Sequence, residues 1–310
     1  NVRLGYSLAA ARITAGPRRS VLAGAPGEDG NRGEIVDWAP WRQPDAPQCT
    51  SALSVDCDAR ITYALRPFDE VKIASTTKIM TVLLGCEATQ KPVNDPGYRA
   101  FLTPYPISQN AWIPTAFPAT TTCSAWKFNF NDTPTFEDLL RTCIMVSGND
   151  SAMAIADVVT GEIVNYTGTA TSAPLFVQMM NDRAALIGMT QTHFTNPPGI
   201  DTDNPYSTAY DMYLLARHAM QNPLFRNLVS TVSHPMIRQV PDGLLPNSTK
   251  PVQTSAVYNW LLGLRKLVPS AAGIKPGSTG GAGYTAVMAA PDPYEPSKYC
   301  YAGGFGWQTT

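Results

Sequence analysis

From Cys49 onward, apolar positions alternate between strand and helix spacing in a definite order. Ala52–Val55 and Arg60–Leu65 predict two short strands joined by a turn at Asp56–Asp58. After Ser75, the apolar residues Ile79, Met80, Val82 and Leu83 fall at helical spacing, and Ser75 is the residue type that caps a helix start. Residues 88–128 are rich in Pro, Thr and aromatics and read as loops. Four more helices follow. Thr135 caps one running through Leu139, Leu140 and Ile144, with Asp138 placed for a near capping box. Ser151–Val159 forms another that stops at Gly161. A third opens at Ser172 and Pro174 and closes at Gly188. The last opens at Ser207, runs through Leu214, Leu215 and His218, and ends before Asn222-Pro223. After Val268 the pattern turns extended, over Ala272–Lys275, Tyr284–Ala289 and Tyr299–Gly303. Strands at both ends with helices between them predict an α/β domain interrupted by a helical insertion.

The 310 residues are 44% hydrophobic, enough for one large domain or two modest ones. With 23 basic and 24 acidic residues the formal net charge is -1, so no general attraction to nucleic acid or an anionic membrane follows. No apolar run approaches the roughly 18 residues that span a bilayer, and the first residues show no charged-then-apolar signal segment. Six cysteines, Cys49, Cys57, Cys86, Cys123, Cys143 and Cys300, include no C-x-x-C pair, which argues against a zinc site. Their even number fits disulfides formed in an oxidising compartment. Buried free thiols are the alternative, and the pairing is open. Residues 1–48 differ in character, being rich in Gly, Pro, Arg and Ala. Leu4–Trp38 resembles one FG-GAP blade unit, but its loop, Arg12–Ser20, lacks the carboxylates that bind calcium in that family. A single blade cannot bury its own face, so a tether or an edge strand packed on the main domain is the alternative.

The chemistry lies in three short motifs. Ser75-Thr-Thr-Lys78 places a serine at a helix start and a lysine one turn on, along the same face. The helix N-terminus supplies positive potential where an alkoxide would form. A serine hydroxyl needs an adjacent base, and lysine serves only if burial or a second cation lowers its pKa. Lys275-Pro-Gly-Ser-Thr, at the end of an extended segment, offers that second cation, and Ser147-Gly-Asn149 lies in a turn between two helices. Each motif alone is ordinary; their order, S-x-x-K then S-x-N then K-x-G, is a recognised set.

On these motifs the chain resembles the D-alanyl-D-alanine carboxypeptidase family of low-molecular-weight penicillin-binding proteins. Ala74–Thr89, Thr135–Gly161, the stretch GMTQTHFTNPPGIDTDNPYSTAYDM and Gly273–Tyr284 are all similar to that family, covering most of 50–290. The resemblance implies a β-lactamase/transpeptidase-like α/β (α+β) fold, an antiparallel sheet flanked by helices. Its α/β part would be 49–86 with 256–310, and the inserted, mainly helical part 87–255. It also implies hydrolysis of the terminal D-alanine of peptidoglycan stem peptides through an acyl-enzyme on Ser75. Lys78 would be the base, Ser147 the proton relay to the leaving amine, and Asn149 a positioner of the acyl part. Lys275 would attract the substrate carboxylate and depress the pKa of Lys78, and Thr279 would hydrogen-bond that carboxylate. The N–H groups of Ser75 and Ser278, beside Gly277, would form the oxyanion hole. No metal or other cofactor is implied. β-Lactams would be inhibitors, and the protein would act outside the cytoplasm, secreted, periplasmic or on the cell surface, with 1–48 as a possible contact to a surface or membrane partner.

Two departures matter. Pro276 stands where the family has threonine. Because N–H groups two residues apart point the same way, a Ser278 N–H facing the cleft puts position 276 on that side too, so no ladder bond need be lost. Class A β-lactamases use a glutamate in an E-x-x-L-N loop; Glu162-Ile-Val-Asn165 has the wrong spacing, so penicillin is expected to acylate Ser75 and leave slowly. His193, His218 and His234 come with no G-x-S-x-G elbow, and a catalytic histidine is not expected. The reading from a different class is a non-catalytic scaffold that keeps a penicillin-binding-like fold.

Overall fold

The computed structural model describes residues 13–14, 20–21, 49–108, 111, 124–126, 128, 132–161, 172–237, 254–258 and 270–307. Of residues 1–48 this includes only two short paired strands, β1 (Ile13–Thr14) and β2 (Ser20–Val21). The blade comparison and its alternative therefore lie outside the described residues, as do Cys123, Glu162 and Asn165.

Five strands form one antiparallel sheet: β3 (Ser51–Val55), β4 (Ile61–Leu65), β7 (Gly273–Thr279), β8 (Gly283–Pro291) and β9 (Tyr299–Trp307). Their order is β4-β3-β9-β8-β7, so the N-terminal hairpin pairs with the last strand of the chain. The disulfide Cys57–Cys300 joins the β3–β4 turn to the start of β9. β5 (Ser233–Ile237) and β6 (Thr254–Tyr258) make a separate hairpin.

Among the described residues, six helices pack on the sheet and on one another: α1 (Lys78–Gln90), α2 (Phe136–Met145), α3 (Asn149–Thr160), α4 (Ser172–Ile187), α5 (Ala209–Ala219) and α6 (Pro223–Ser230). α1 is buried on nearly every side, as a helix apolar around its circumference must be. It crosses α2 so closely that a Cβ on Gly85 would lie 2.5 Å from Leu140 Cδ2. The main core combines these helices with Leu53, Val55, Ile274, Val287 and Phe305 from the sheet. A smaller cluster around Ala52, Ala286, Ala302 and Trp307 forms separately from it.

Local signals explain the helix ends. Thr135 and Asp138 form the full reciprocal capping box of α2. Gly161 ends α3 in the left-handed conformation, at φ 77°. Three expectations need correction. Ser75 does not cap the helix: it sits inside a 3-10 turn, Ala74–Thr77, that leads into α1 at Lys78. α5 is capped by Thr208 rather than Ser207. Asn222-Pro223 does not merely end a helix; the Asn222 side chain accepts the N–H groups of Leu224 and Phe225 and opens α6, with proline at its first position.

Candidate active site

The Ser75 turn is held in an unusual backbone shape. Ala74 adopts a left-handed φ of 48°, a conformation non-glycine residues enter at a cost. Thr76 closes the turn, both its N–H and its hydroxyl donating to the Ile73 carbonyl. Ser75 is left half-buried, facing β7. There Gly277 comes so near that a Cβ on it would lie 2.8 Å from Ser75 N, 3.1 Å from Thr76 N and 2.7 Å from Thr285 Oγ1. Only glycine permits this approach.

Lys78 is completely buried at the start of α1. Its Nζ donates to Ser75 Oγ at 2.9 Å, to Asn149 Oδ1 at 2.7 Å and to the Pro198 carbonyl at 2.7 Å. Asn149 is the first residue of α3; its backbone N–H donates to the Ser124 carbonyl, and its side-chain oxygen accepts from Lys78. Two residues earlier, Ser147 is buried in the α2–α3 turn with a left-handed φ of 65°.

Lys275, on β7, is also completely buried, and its Nζ donates to the Pro276 carbonyl at 2.9 Å. Burial, reinforced by the charge of Lys78, holds its pKa well below the ordinary value of 10.5. The repulsion between the two amines is mutual. The Cys143 thiol faces the same interior; burial pushes its pKa up to about 12 against the opposing pull of both lysines. Ser278 is exposed and Thr279 half-buried, and the Thr279 hydroxyl accepts the Ala282 N–H at 3.0 Å, leaving its proton free to be donated. Pairing runs through Pro276↔Ala286 without a register shift. β7 is an edge strand of its sheet, the setting in which proline is tolerated.

One segment escaped the sequence reading as a site component. The loop after His193 runs across the Ser75 turn. The Asn196 carboxamide organises it, accepting the N–H groups of Gly199 and Ile200 and donating to the Ile200 carbonyl. Gly199, at φ 78°, passes so close that a Cβ would sit 2.1 Å from the Ala74 carbonyl oxygen. The Pro197 carbonyl accepts from Thr81, the Pro198 carbonyl from Lys78, and Asp201 Oδ2 accepts the Gly281 N–H of the β7–β8 turn at 3.0 Å. Because a backbone carbonyl makes the lysine contact, no residue type could have advertised it; the Asn-Pro-Pro-Gly sequence signals only a tight turn. The histidines are engaged elsewhere. His193 pairs through its backbone with Tyr206, His218 lies 3.9 Å from Glu87, and His234 Nε2 lies 3.1 Å from Asp138 Oδ1.

The architecture is that of the DD-transpeptidases and penicillin-binding proteins. A crystal structure of a Streptomyces DD-transpeptidase superposes with a TM-score of 0.68 at 23% identity, covering 84% of this chain and 90% of that one. Penicillin binding protein 5 from Haemophilus influenzae gives 0.66 at 24%, covering 86% and 67%. The family model for D-alanyl-D-alanine carboxypeptidases matches residues 41–295, and the chain belongs to that family. It is 27% identical to the D-alanyl-D-alanine carboxypeptidase DacF of Bacillus subtilis over 77% of this chain and 53% of that protein. To DacA of Haemophilus influenzae it is 31% identical over 57% of this chain and 41% of that protein. The chain thus spans about half the length of the curated relatives it matches.

Proposed function

We propose that the protein is a serine-type D-Ala-D-Ala carboxypeptidase that removes the terminal D-alanine of peptidoglycan stem peptides through a Ser75 acyl-enzyme, and that penicillin acylates the same oxygen. The observation that carries this is the coordination of Lys78. A charged lysine has three N–H groups, and here three oxygens receive them. A neutral lysine keeps two N–H groups and gains a lone pair. The Asn149 and Pro198 oxygens can only accept, so they retain the two N–H groups, and the lone pair is left facing Ser75 Oγ at 2.9 Å. That is the arrangement of a general base beside its nucleophile. Lys275, a second buried amine, resists carrying a charge at the same time as Lys78.

Ser75 Oγ attacks the carbonyl carbon of the penultimate D-alanine while Lys78 takes its proton. The oxyanion forms between the N–H of Ser75 and that of Ser278, beside Gly277. Ser147 passes the proton to the departing D-alanine amine, and Asn149 orients the acyl chain. Lys275 and Thr279 receive the terminal carboxylate, and water then releases the acyl group. The disulfide fits action outside the reducing cytoplasm, in a secreted, periplasmic or cell-surface setting.

Intact-mass measurement after incubation with benzylpenicillin tests the reading. The expected result is one stable adduct, mapped to Ser75 and absent from Ser75→Ala. A folded wild-type protein that takes up no adduct overturns it in favour of a non-catalytic scaffold.

A further inference from the structure

A cavity of about 400 Å³ lies away from Ser75. Its walls include Tyr299 and Tyr301 at the start of β9, Asp56 just after β3, and Tyr213, Arg217 and Arg226 from α5 and α6. Gly277, which abuts Ser75, pairs with Thr285 on β8, whereas Tyr299 pairs with Pro291 at the other end of that strand. Six residue steps along a strand put roughly 20 Å between the two places. This volume is in the range of small-ligand sites, which begins near about 300 Å³.

The cations in it are unevenly committed. Lys298 is bridged to Asp58 at 3.3 Å and Glu295 at 3.0 Å. Asp56 caps its own turn by accepting the N–H groups of Asp58 and Arg60. Arg226 Nη1 donates to the carbonyls of Met220 and Gln221, at 2.7 and 3.0 Å, which fixes the guanidinium across the α5–α6 junction. Arg217 is exposed, and its charge acts on the Tyr213 hydroxyl, opposing the burial that raises the pKa of that group. Among the described residues neither guanidinium lies within 4.0 Å of a carboxylate, yet the charges of both reach Tyr301. Asp56 is the carboxylate among the lining residues, so two guanidiniums leave the cavity with a net positive charge, which favours an anionic ligand group. Around them stand tyrosine rings, Tyr213 and Tyr301 edge-to-face at 5.6 Å and Tyr299 half-buried beside them. Aromatic faces with polar tips accept a ring that is apolar on its faces and polar at its rim.

We propose that this cavity is a second binding site, for a phosphorylated saccharide, with Arg217 and Arg226 holding the phosphate and Tyr299 packing against the sugar ring. The site is independent of the proposed chemistry at Ser75. The test is calorimetric titration of the full chain with glucose 1-phosphate and, separately, with inorganic phosphate, at low salt. The expected result is saturable one-to-one binding of glucose 1-phosphate with Kd of about 1 mM or tighter, weakened about 10-fold or more in Arg217→Gln. Because Arg217 is exposed, that variant should keep its circular dichroism spectrum and its melting temperature. Tyr299→Ala should weaken glucose 1-phosphate by about 3-fold or more and leave inorganic phosphate unchanged. Ser75→Ala should bind like wild type, which separates this site from the other. No saturable binding below about 10 mM, or equal binding by Arg217→Gln, overturns the proposal. Equal effects of Tyr299→Ala on both ligands, or none on either, overturn its saccharide part.

Discussion

A methyl group at Gly277 is the sharpest probe of the proposed oxyanion hole. The added Cβ would lie 2.8 Å from Ser75 N and 3.1 Å from Thr76 N, where ordinary contact begins at 3.4 Å. Both atoms belong to a backbone turn already constrained by the left-handed Ala74, so they cannot rotate away as a side chain would. β7 and the turn must separate by about 0.6 Å, a large step in a close-packed interior. The two N–H donors would then no longer converge on one oxygen. Loss of a single such donor lowers kcat by about 10²–10³-fold, and Gly277→Ala is expected to slow acylation by that factor. The fold should survive. Gly277 is not in the left-handed region, β7 lies at the sheet edge, and overpacking costs about 1–3 kcal/mol. The measurement is the second-order rate of labelling by a fluorescent penicillin, beside a thermal melt. A folded Gly277→Ala protein that labels within about 3-fold of wild type would refute the assignment of this approach to transition-state stabilisation.

Four further outcomes follow from the same geometry. Lys275→Met should abolish most labelling and flatten the pH dependence of stability. The folded chain holds the Lys275 proton less tightly than the unfolded one, so wild-type stability rises with pH from that lowered value toward 10.5, and the variant's melting-temperature advantage, largest at low pH, shrinks over that span. Asp201→Ala releases the β7–β8 turn from the loop that contacts Lys78; labelling should fall about 10-fold with Asp201→Asn restoring much of it, because small misplacements at a reacting centre are costly. Pro276→Thr returns an N–H to the outer edge of β7 and should raise labelling and turnover while leaving the denaturation midpoint nearly unchanged. Reducing Cys57–Cys300 frees a loop of 243 residues and should cost about 3–5 kcal/mol in chemical denaturation, with labelling by the folded fraction unaffected.

Much of the site was legible because its chemistry demands particular residue types. In the proposed chemistry the nucleophile, the base one turn away and the distant second cation are all side chains, so Ser75, Lys78 and Lys275 are candidates from the sequence itself, and the family resemblance adds Asn149. Capping was legible for the same reason at Thr135 and Gly161. What was missed was carried by backbone or by long-range pairing. The Pro198 carbonyl that anchors Lys78 leaves no trace in residue type. The 3-10 turn at Ser75 depends on Gly199 and Gly277 pressing on it from segments far along the chain. The cysteine count could not choose Cys57–Cys300 from 15 possible pairings, because strand order alone brings those two residues together. α6 is hidden for a different reason: after a helix Asn222-Pro223 reads as a stop, although the same dipeptide is a good start.

The placement of strain and buried charge separates an active centre from a merely well-packed one. Two completely buried lysines, a thiol held protonated beside them, and left-handed Ala74 and Ser147 all gather where α1, α3 and β7 meet. Each feature costs stability, and a scaffold under no catalytic demand would be more stable with Lys275 replaced by an apolar residue of similar length. Packing does not require an ammonium there: Cys143 and the helices supply an interior that methionine would fill. A fully buried lysine at this position, on a strand at the sheet edge, is therefore better explained by the proposed anionic substrate group than by folding.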